Sequence, residues 1–404
     1  MHVGEIGILH VLNGEQYSGL ERVVDHLAEF APRYGFRLHL VCLKPGDLPD
    51  RISTREARFH HVRMRGRLDL SGLLAIRRIA IDQRCRLIHS HTVRSAVVVR
   101  ALRILIQMPW VHQVHSPALH ESENNLLNRI NYLVERTVLP KADVLLPVSH
   151  ALRTYVEMRY HIDRSRSTVI PNGVESVEVS LAPRRPRTGA GCIGMVGLFR
   201  PRKGVEVLLD ALVYLRNRGV TPRLKLVGGF VSDHYARSVM LRITSLSLEC
   251  QVELTGYRYD IRPHIAGLDV FVMPSLFGEG MPMALLEAMA MGRLIVASRV
   301  DGIVEPLAGG ACGILVEPGN AAALADAIYE AMGFGVTGVA ASDTGKYEMD
   351  VQHAALAEAA RERQRSLYSV DMMARGIFGV YMQQLGLSGT FVERSGTFIK
   401  RQSM

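Results

Sequence analysis

Short β-branched and aliphatic runs recur along the chain, and each is followed by a longer stretch in which apolar positions return every three or four residues. Ile6 to Val11, Leu38 to Leu43, Leu87 to Ser90, Trp110 to His115 and Val144 to Val148 have the length and composition of strands. Leu20 to Phe30, Ser71 to Asp82, Val93 to Leu105, Asn124 to Val138 and His150 to Met158 have helical periodicity. The second half repeats this grammar, with predicted strands Ile193 to Val196, Leu224 to Val227, Val252 to Leu254, Val270 to Met273, Leu294 to Ala297 and Gly313 to Val316. Its predicted helices are Val205 to Leu215, Ala284 to Met291 and Ala321 to Met332. Strands alternating with helices predict parallel sheets covered on both faces. Leu181 to Gly191, rich in Pro, Arg and Gly, breaks the pattern and reads as a linker. The expected fold class is therefore α/β, with one doubly wound, Rossmann-like domain over 1–180, a linker at 181–191 and a second such domain over 192–350. C-terminal helices from about Val351 to Leu385 and a polar tail complete the chain over 351–404. Open α/β sheets bind ligands beyond the carboxyl ends of their strands, so two of them facing each other place a cleft between the domains.

Composition excludes several other classes. A chain of 404 residues is too long for one core, and 48% apolar with 22% charged residues is neither a disordered nor a collagenous composition. The longest apolar stretch, Ala96 to Met108, is interrupted by Arg100 and Arg103, so no membrane span is expected. Met1 to Glu5 carry no basic residue ahead of the first apolar run, which argues against a secretory signal. Cys42, Cys85, Cys192, Cys250 and Cys312 are scattered without a C-x-x-C pair and point to a reducing, cytoplasmic location.

The net charge of +9 is uneven. Residues 1–187 hold 27 Lys and Arg against 18 Asp and Glu, whereas residues 188–404 hold 21 of each. Such an excess attracts an anionic partner, either a lipid surface or a phosphorylated substrate. Nucleic acid is not expected, because the basic residues are not interleaved with aromatics, which make up 6% of the chain. Arg63, Arg65 and Arg67, with the amphipathic stretch Asn124 to Val138, suit peripheral docking at the anionic inner face of the plasma membrane.

Candidate chemistry concentrates between Asp269 and Ser298. A strand ends at Pro274, a loop carries Gly278, Glu279 and Gly280, and Pro282 is placed for the first turn of a helix. Glycines admit a ligand close to the backbone, and free N–H groups at Met283 and Ala284 would meet a diphosphate. Glu279 and Glu287, eight positions apart, can each accept two hydroxyl hydrogen bonds. Lys203, next to Gly204 at a predicted helix start, supplies a cation for a leaving group whose charge grows in the transition state. No D-x-D pair and no His or Cys cluster at ligand spacing is present, so neither a metal nor another cofactor is expected.

This segment resembles the E-x7-E signature of glycosyltransferase family 4, the retaining nucleotide-sugar transferases of the GT-B fold. Gly19 to Arg22 resemble the family's glycine-rich turn, with Ser18-Gly19 in place of a Gly-Gly pair. His89, Ser90 and His91 resemble its H-x-H strand end, and His115 the histidine that ends the next strand. Val169 to Val174, Gly197 to Gly204, and Gly256 to Arg258 resemble further family motifs in the same order. The resemblance implies that Glu287 binds ribose hydroxyls, Glu279 the donor sugar and Lys203 the diphosphate, and that His115 lies at the sugar and acceptor side. His115, Lys203 and Glu279 are then the candidate catalytic residues. Gly19, His91, Asn172, Arg200, Arg202, Arg258, Gly280, Met281, Pro282, Met283 and Glu287 are the candidate substrate-binding residues. Leu198 stands where the family usually carries Arg, which leaves the phosphate clamp to Lys203, either with Arg200 or Arg202 or alone.

The expected function is transfer of a hexose from a UDP- or GDP-sugar to a saccharide or lipid-linked acceptor in polysaccharide or cell-envelope synthesis. A nucleotide-sugar epimerase of the same fold, consuming donor without an acceptor, is one alternative. A protein that binds the nucleotide sugar without turnover is another. A phosphorylase would need a lysine marked for pyridoxal phosphate, and the sequence marks none.

Overall fold

The computed structural model describes residues 5–15, 17–46, 48, 56–65, 69–120, 124–178, 191–334 and 343–387. Linker residues 181–190, Arg67 and the polar tail lie outside them. The first sheet is formed by β1 (Ile6–Leu12), β2 (Phe36–Cys42), β3 (Arg58–His61), β4 (Cys85–Ser90), β5 (Trp110–Val114) and β6 (Val144–Pro147). The second contains β7 (Cys192–Val196), β8 (Arg223–Val227), β9 (Val252–Gly256), β10 (Val270–Met273), β11 (Leu294–Ser298) and β12 (Ile314–Val316). Every pairing is parallel, and the orders β3-β2-β1-β4-β5-β6 and β12-β11-β10-β7-β8-β9 are the same order read from opposite edges. Both are doubly wound sheets with a switch point beside their first strand, β1 or β7.

Among the elements that the sequence pattern did not mark, two have clear physical reasons. Strand β3, Arg-Phe-His-His, is a polar edge strand paired only to β2, so it lacks the continuous apolar run of a central strand. The helix Asp233–Ser245 buries Tyr235, Val239 and Ile243 on a narrow stripe among charged residues. It is held at its start by Ser232, whose side chain accepts from the Tyr235 N–H.

Period-two alternation divides the second sheet between two cores. Val270, Val272, Leu294 and Val296 face one side, under the helices Val205–Asn217 and Ala321–Ala331, while Phe271, Met273, Ile295 and Ala297 face the other. The second side is continuous with the core of the first domain through the C-terminal helices Asp343–Leu367 and Val370–Gln384. The last helix returns to the first domain, where Phe378 stacks on Phe36 with ring centroids 5.6 Å apart and meets Tyr34 at 4.8 Å. Backbone seals the junction, with Val174 N–H donating to the Tyr368 carbonyl at 2.9 Å and Val370 N–H to the Val174 carbonyl at 3.2 Å.

Candidate active site

A cleft of about 560 Å³ opens between the carboxyl ends of the two sheets. The first domain lines it with Tyr17 to Leu20 and Arg22 beyond β1, His115 and Ser116 beyond β5, and Asn172. The second contributes Gly197, Leu198, Arg200, Arg202 and Lys203 beyond β7, Gly228 to Phe230 beyond β8, Tyr257 to Tyr259 beyond β9, and Met281 to Ala284. Ten of the sequence-derived candidates therefore share one cavity: Gly19, His115, Asn172, Arg200, Arg202, Lys203, Arg258, Met281, Pro282 and Met283. Pro282 is the N-cap of the Met283–Ala290 helix, one position before the first turn where the sequence placed it.

Lys203 closes a single 3₁₀ turn, Pro201–Lys203, and Gly204 follows in the left-handed region at φ 72°. A β-carbon at Gly204 would lie 2.0 Å from the Pro274 carbonyl oxygen, so only glycine lets this loop pass the end of β10. The turn aims the Lys203 ammonium at Glu279, with Nζ 2.6 Å from Oε1. The same oxygen accepts from Ser275 Oγ at 2.7 Å, and Arg202 lies 3.7 Å away while donating to the Gly278 carbonyl at 2.8 Å. Burial lifts the Glu279 pKa, but the Lys203 and Arg202 charges, with hydrogen bonds from Lys203 and Ser275, outweigh it and hold the carboxyl below its ordinary value. Burial likewise pulls Lys203 down, opposed by the Glu279 charge. Glu279 lies behind the cleft wall and positions the lysine that lines it.

Gly280 joins the domains. A β-carbon there would stand 1.9 Å from the His115 carbonyl oxygen, so the loop touches the first domain backbone to backbone. Asn172 makes a second bridge, its Nδ2 donating to the Met281 carbonyl at 2.9 Å. A third comes from Tyr257, whose hydroxyl donates to the Tyr17 carbonyl at 2.9 Å, beside the stacked rings of Tyr17 and Tyr259 at 5.1 Å.

The family model for Glycosyltransferase Family 4 matches residues 17–177, and that for Glycosyl transferases group 1 matches residues 190–343. The chain belongs to glycosyltransferase family 4. It is 24% identical over 319 residues to the UDP-Gal:alpha-D-GlcNAc-diphosphoundecaprenol alpha-1,3-galactosyltransferase of Escherichia coli, covering 74% of this chain and 80% of that one. It is 34% identical over 167 residues to the phosphatidyl-myo-inositol mannosyltransferase of Mycobacterium leprae, covering 41% of this chain and 44% of that enzyme. Among solved structures, Anabaena HepE in complex with UDP-glucose superposes with a TM-score of 0.76 at 22% identity, over 94% of this chain and all of that one. The fold is GT-B, and the protein is a glycosyltransferase.

Besides Glu279 and Gly280, two candidate residues of this glycosyltransferase lie outside the larger cleft. Glu287 lines a smaller neighbouring cavity of about 150 Å³, where its Oε1 is bound by the Arg22 guanidinium from the first domain. Its Oε2 is buried without a partner among the described residues, and burial, partly offset by Arg22, raises its pKa. His91 is packed behind His115, with its Nδ1 3.3 Å from His115 Nε2. Burial holds the His115 imidazole neutral, its pKa lowered to about 4.

Sequence spacing did not mark Tyr17, Arg22 or Tyr259 as site residues. Arg22 and Glu287 are 265 positions apart, and only the closed pair of domains joins them. Nor did it mark a cluster of potential metal ligands, whereas the fold brings nitrogens of His10, His89 and His91 within 4.8 Å of one another. Side-chain ligand atoms of His26, Glu29 and Glu175 form a second such group nearer the surface. No helix among the described residues is long and apolar enough to cross a membrane.

Proposed function

We propose that this glycosyltransferase moves a hexose from a UDP- or GDP-sugar, with retention of anomeric configuration, to a lipid-linked or saccharide acceptor in cell-envelope glycan synthesis. The observation that carries the reading is the cleft wall on which Lys203, held by Glu279, stands with Arg200 and Arg202. These cations meet the charge that builds on a departing diphosphate, so the proposed reaction runs without a metal or other cofactor. They also supply the clamp at a site where Leu198 lines the cleft without charge. Glu279 Oε1 is committed to Lys203 and Ser275, which favours holding the lysine over forming a covalent intermediate. On this reading the leaving phosphate takes the acceptor's proton on the face it vacates. The partnerless Oε2 of Glu287 is the acceptor offered to a ribose hydroxyl. The Escherichia coli relative is named for a UDP-sugar donor and a lipid diphosphate acceptor, and HepE holds UDP-glucose, which supports this substrate class.

A panel of UDP, GDP, ADP and their sugar conjugates, read by calorimetry on the wild type and Glu287→Ala, tests the donor site. Binding selective for one nucleotide and lost in the variant supports the reading. No binding to any of them removes it in favour of a protein without turnover, and donor consumption in the absence of acceptor replaces transfer with epimerisation.

The acceptor side supports a cytoplasmic enzyme placed peripherally on an anionic membrane. Helix Asn125–Val138 buries Asn128, Asn131 and Glu135 and exposes Leu126, Ile130 and Leu133, the reverse of a helix that faces water. The adjacent packed helices Val93–Leu105 and Leu73–Asp82 expose Ile104, Leu105 and Leu74, with Arg129, Arg100, Arg77 and Arg78 exposed among them. Exposed leucines ringed by arginines suit the headgroup boundary of an anionic bilayer. Sedimentation with vesicles at low salt should show binding to phosphatidylglycerol but not phosphatidylcholine, weakened by Leu133→Ser with Ile130→Ser. No binding to the anionic vesicles at low salt would favour a soluble acceptor.

A further inference from the structure

Behind the cleft, four imidazoles and one phenol form a single hydrogen-bonded chain. His115 Nε2 lies 3.3 Å from His91 Nδ1, and His91 Nε2 lies 3.0 Å from His10 Nδ1. His10 Nε2 lies 3.1 Å from the Tyr381 hydroxyl, which lies 2.5 Å from His89 Nδ1. The neighbouring strands β1 and β4 bring His10 to His89 and His91, and the C-terminal helix delivers Tyr381 from 371 positions away. His10, His89, His91 and Tyr381 are buried, and His115 lines the cleft. Burial lowers His10 to about 3 and His115 to about 4, and holds His89 and His91 well below their ordinary value, with like-charge repulsion adding for the last two.

A neutral imidazole carries one proton, so each nitrogen-to-nitrogen contact holds one N–H. Two arrangements satisfy every contact and also give the Tyr381 O–H an acceptor within the chain. In the first, His89 Nδ1 donates to Tyr381, Tyr381 to His10, His10 to His91 and His91 to His115, which leaves the His115 proton on Nδ1. In the second, every donor and acceptor is reversed, and His115 Nδ1 is bare. Passing from first to second removes one proton from His115 Nδ1 and places one on His89 Nε2, with every intervening group keeping its charge. His89 Nε2 is buried and has no partner among the described residues. A bare nitrogen fits that position better than an N–H, because buried N–H groups without an acceptor are the rarer omission in folded proteins. The first arrangement is therefore the resting one.

We propose that Tyr381, His10 and His91 form a tautomer relay that fixes the His115 proton on Nδ1, so that the cleft meets an N–H donor in place of a lone pair. The relay rests on the proposed glycosyl transfer only for the group that His115 addresses, a hydroxyl oxygen of the sugar or acceptor. His10, His91 and Tyr381 are positioning residues. Nitrogens of His10, His89 and His91 also lie close enough for a three-imidazole metal site. Both nitrogens of His10 are already engaged, by His91 and Tyr381, which favours the relay.

The test is nitrogen NMR of the ¹⁵N-histidine-labelled full chain without substrate, where protonated and bare ring nitrogens resonate apart. Expected for the wild type is a protonated Nδ1 and a bare Nε2 at His115. Tyr381→Phe keeps the ring against Phe36 and Phe378 but breaks the chain. It should mix the two tautomers and lower kcat about tenfold, the rate equivalent of one lost hydrogen bond, with the donor KM within about twofold. A wild-type His115 protonated on Nε2, a tautomer unchanged in Tyr381→Phe, or stoichiometric zinc displaced only with His89→Ala would each overturn the relay. The wild-type spectrum needs no variant to fold and no turnover, so its failure is separate from failure of the transferase reading.

Discussion

Lys203 and Glu279 are tied together at the cleft wall, yet the proposed chemistry uses them differently, and a double-mutant cycle separates the two roles. Lys203→Met strands the Glu279 carboxylate behind the wall with Ser275 at 2.7 Å and Arg202 at 3.7 Å. Breaking a buried pair by removing one partner costs about 3 to 5 kcal/mol, and the retained Arg202 places this case near about 3. Glu279→Gln leaves an uncompensated ammonium at similar cost. In the double variant neither charge is stranded, so the loss should fall short of the sum by about 2 kcal/mol. Urea denaturation followed by circular dichroism measures all four species. Turnover should behave otherwise: Lys203→Met loses about a hundredfold in kcat, and adding Glu279→Gln restores none of it, because the diphosphate still lacks its cation. Additive stabilities, or recovery of kcat in the double variant, would refute the assignment of Lys203 as the clamp that Glu279 merely holds.

Three further outcomes follow from the same geometry. His10 and His112, each lowered to about 3 by burial, bind a proton in the unfolded chain near pH 6.5 but not in the fold, so stability is full above 6.5 and falls as pH drops. Each should cost about 1.4 kcal/mol per pH unit, and a urea midpoint that does not move between pH 7.5 and 5 would contradict it. Gly280→Ala places a methyl 1.9 Å from the His115 carbonyl oxygen and should part the domains, lowering kcat more than about tenfold and enlarging the radius of gyration by X-ray scattering. Phe378→Ala, at a fully buried ring, should cost about 3 to 5 kcal/mol and loosen the C-terminal helix, read as faster amide exchange over residues 370–384.

Most of the strands were legible because a central parallel strand is apolar on both faces: Val270 to Met273 and Leu294 to Ala297 announce themselves without reference to their neighbours. Strand β3 did not, because an edge strand at the surface tolerates Arg-Phe-His-His. The cleft residues were legible where a local rule placed them, as with Gly204 before a helix and Pro282 at a cap. Glu279 was legible as a site residue, but the sequence could not show it behind the wall with its carboxylate turned to Lys203, since 76 residues separate them.

By itself, then, the sequence determined what depends on near neighbours: the alternation of strand and helix, two doubly wound sheets, the glycines and caps at their ends, and the acids and cations available there. Only the tertiary structure decided which of these meet. Arg22 reaches Glu287 because the domains close, His91 backs His115 where the sequence had placed it at the substrate, and Tyr381 joins His10 because the last helix returns to the first sheet. Such contacts span hundreds of residues, and their free energy comes from burying apolar faces together, a property of the whole packed core that no local window of sequence contains.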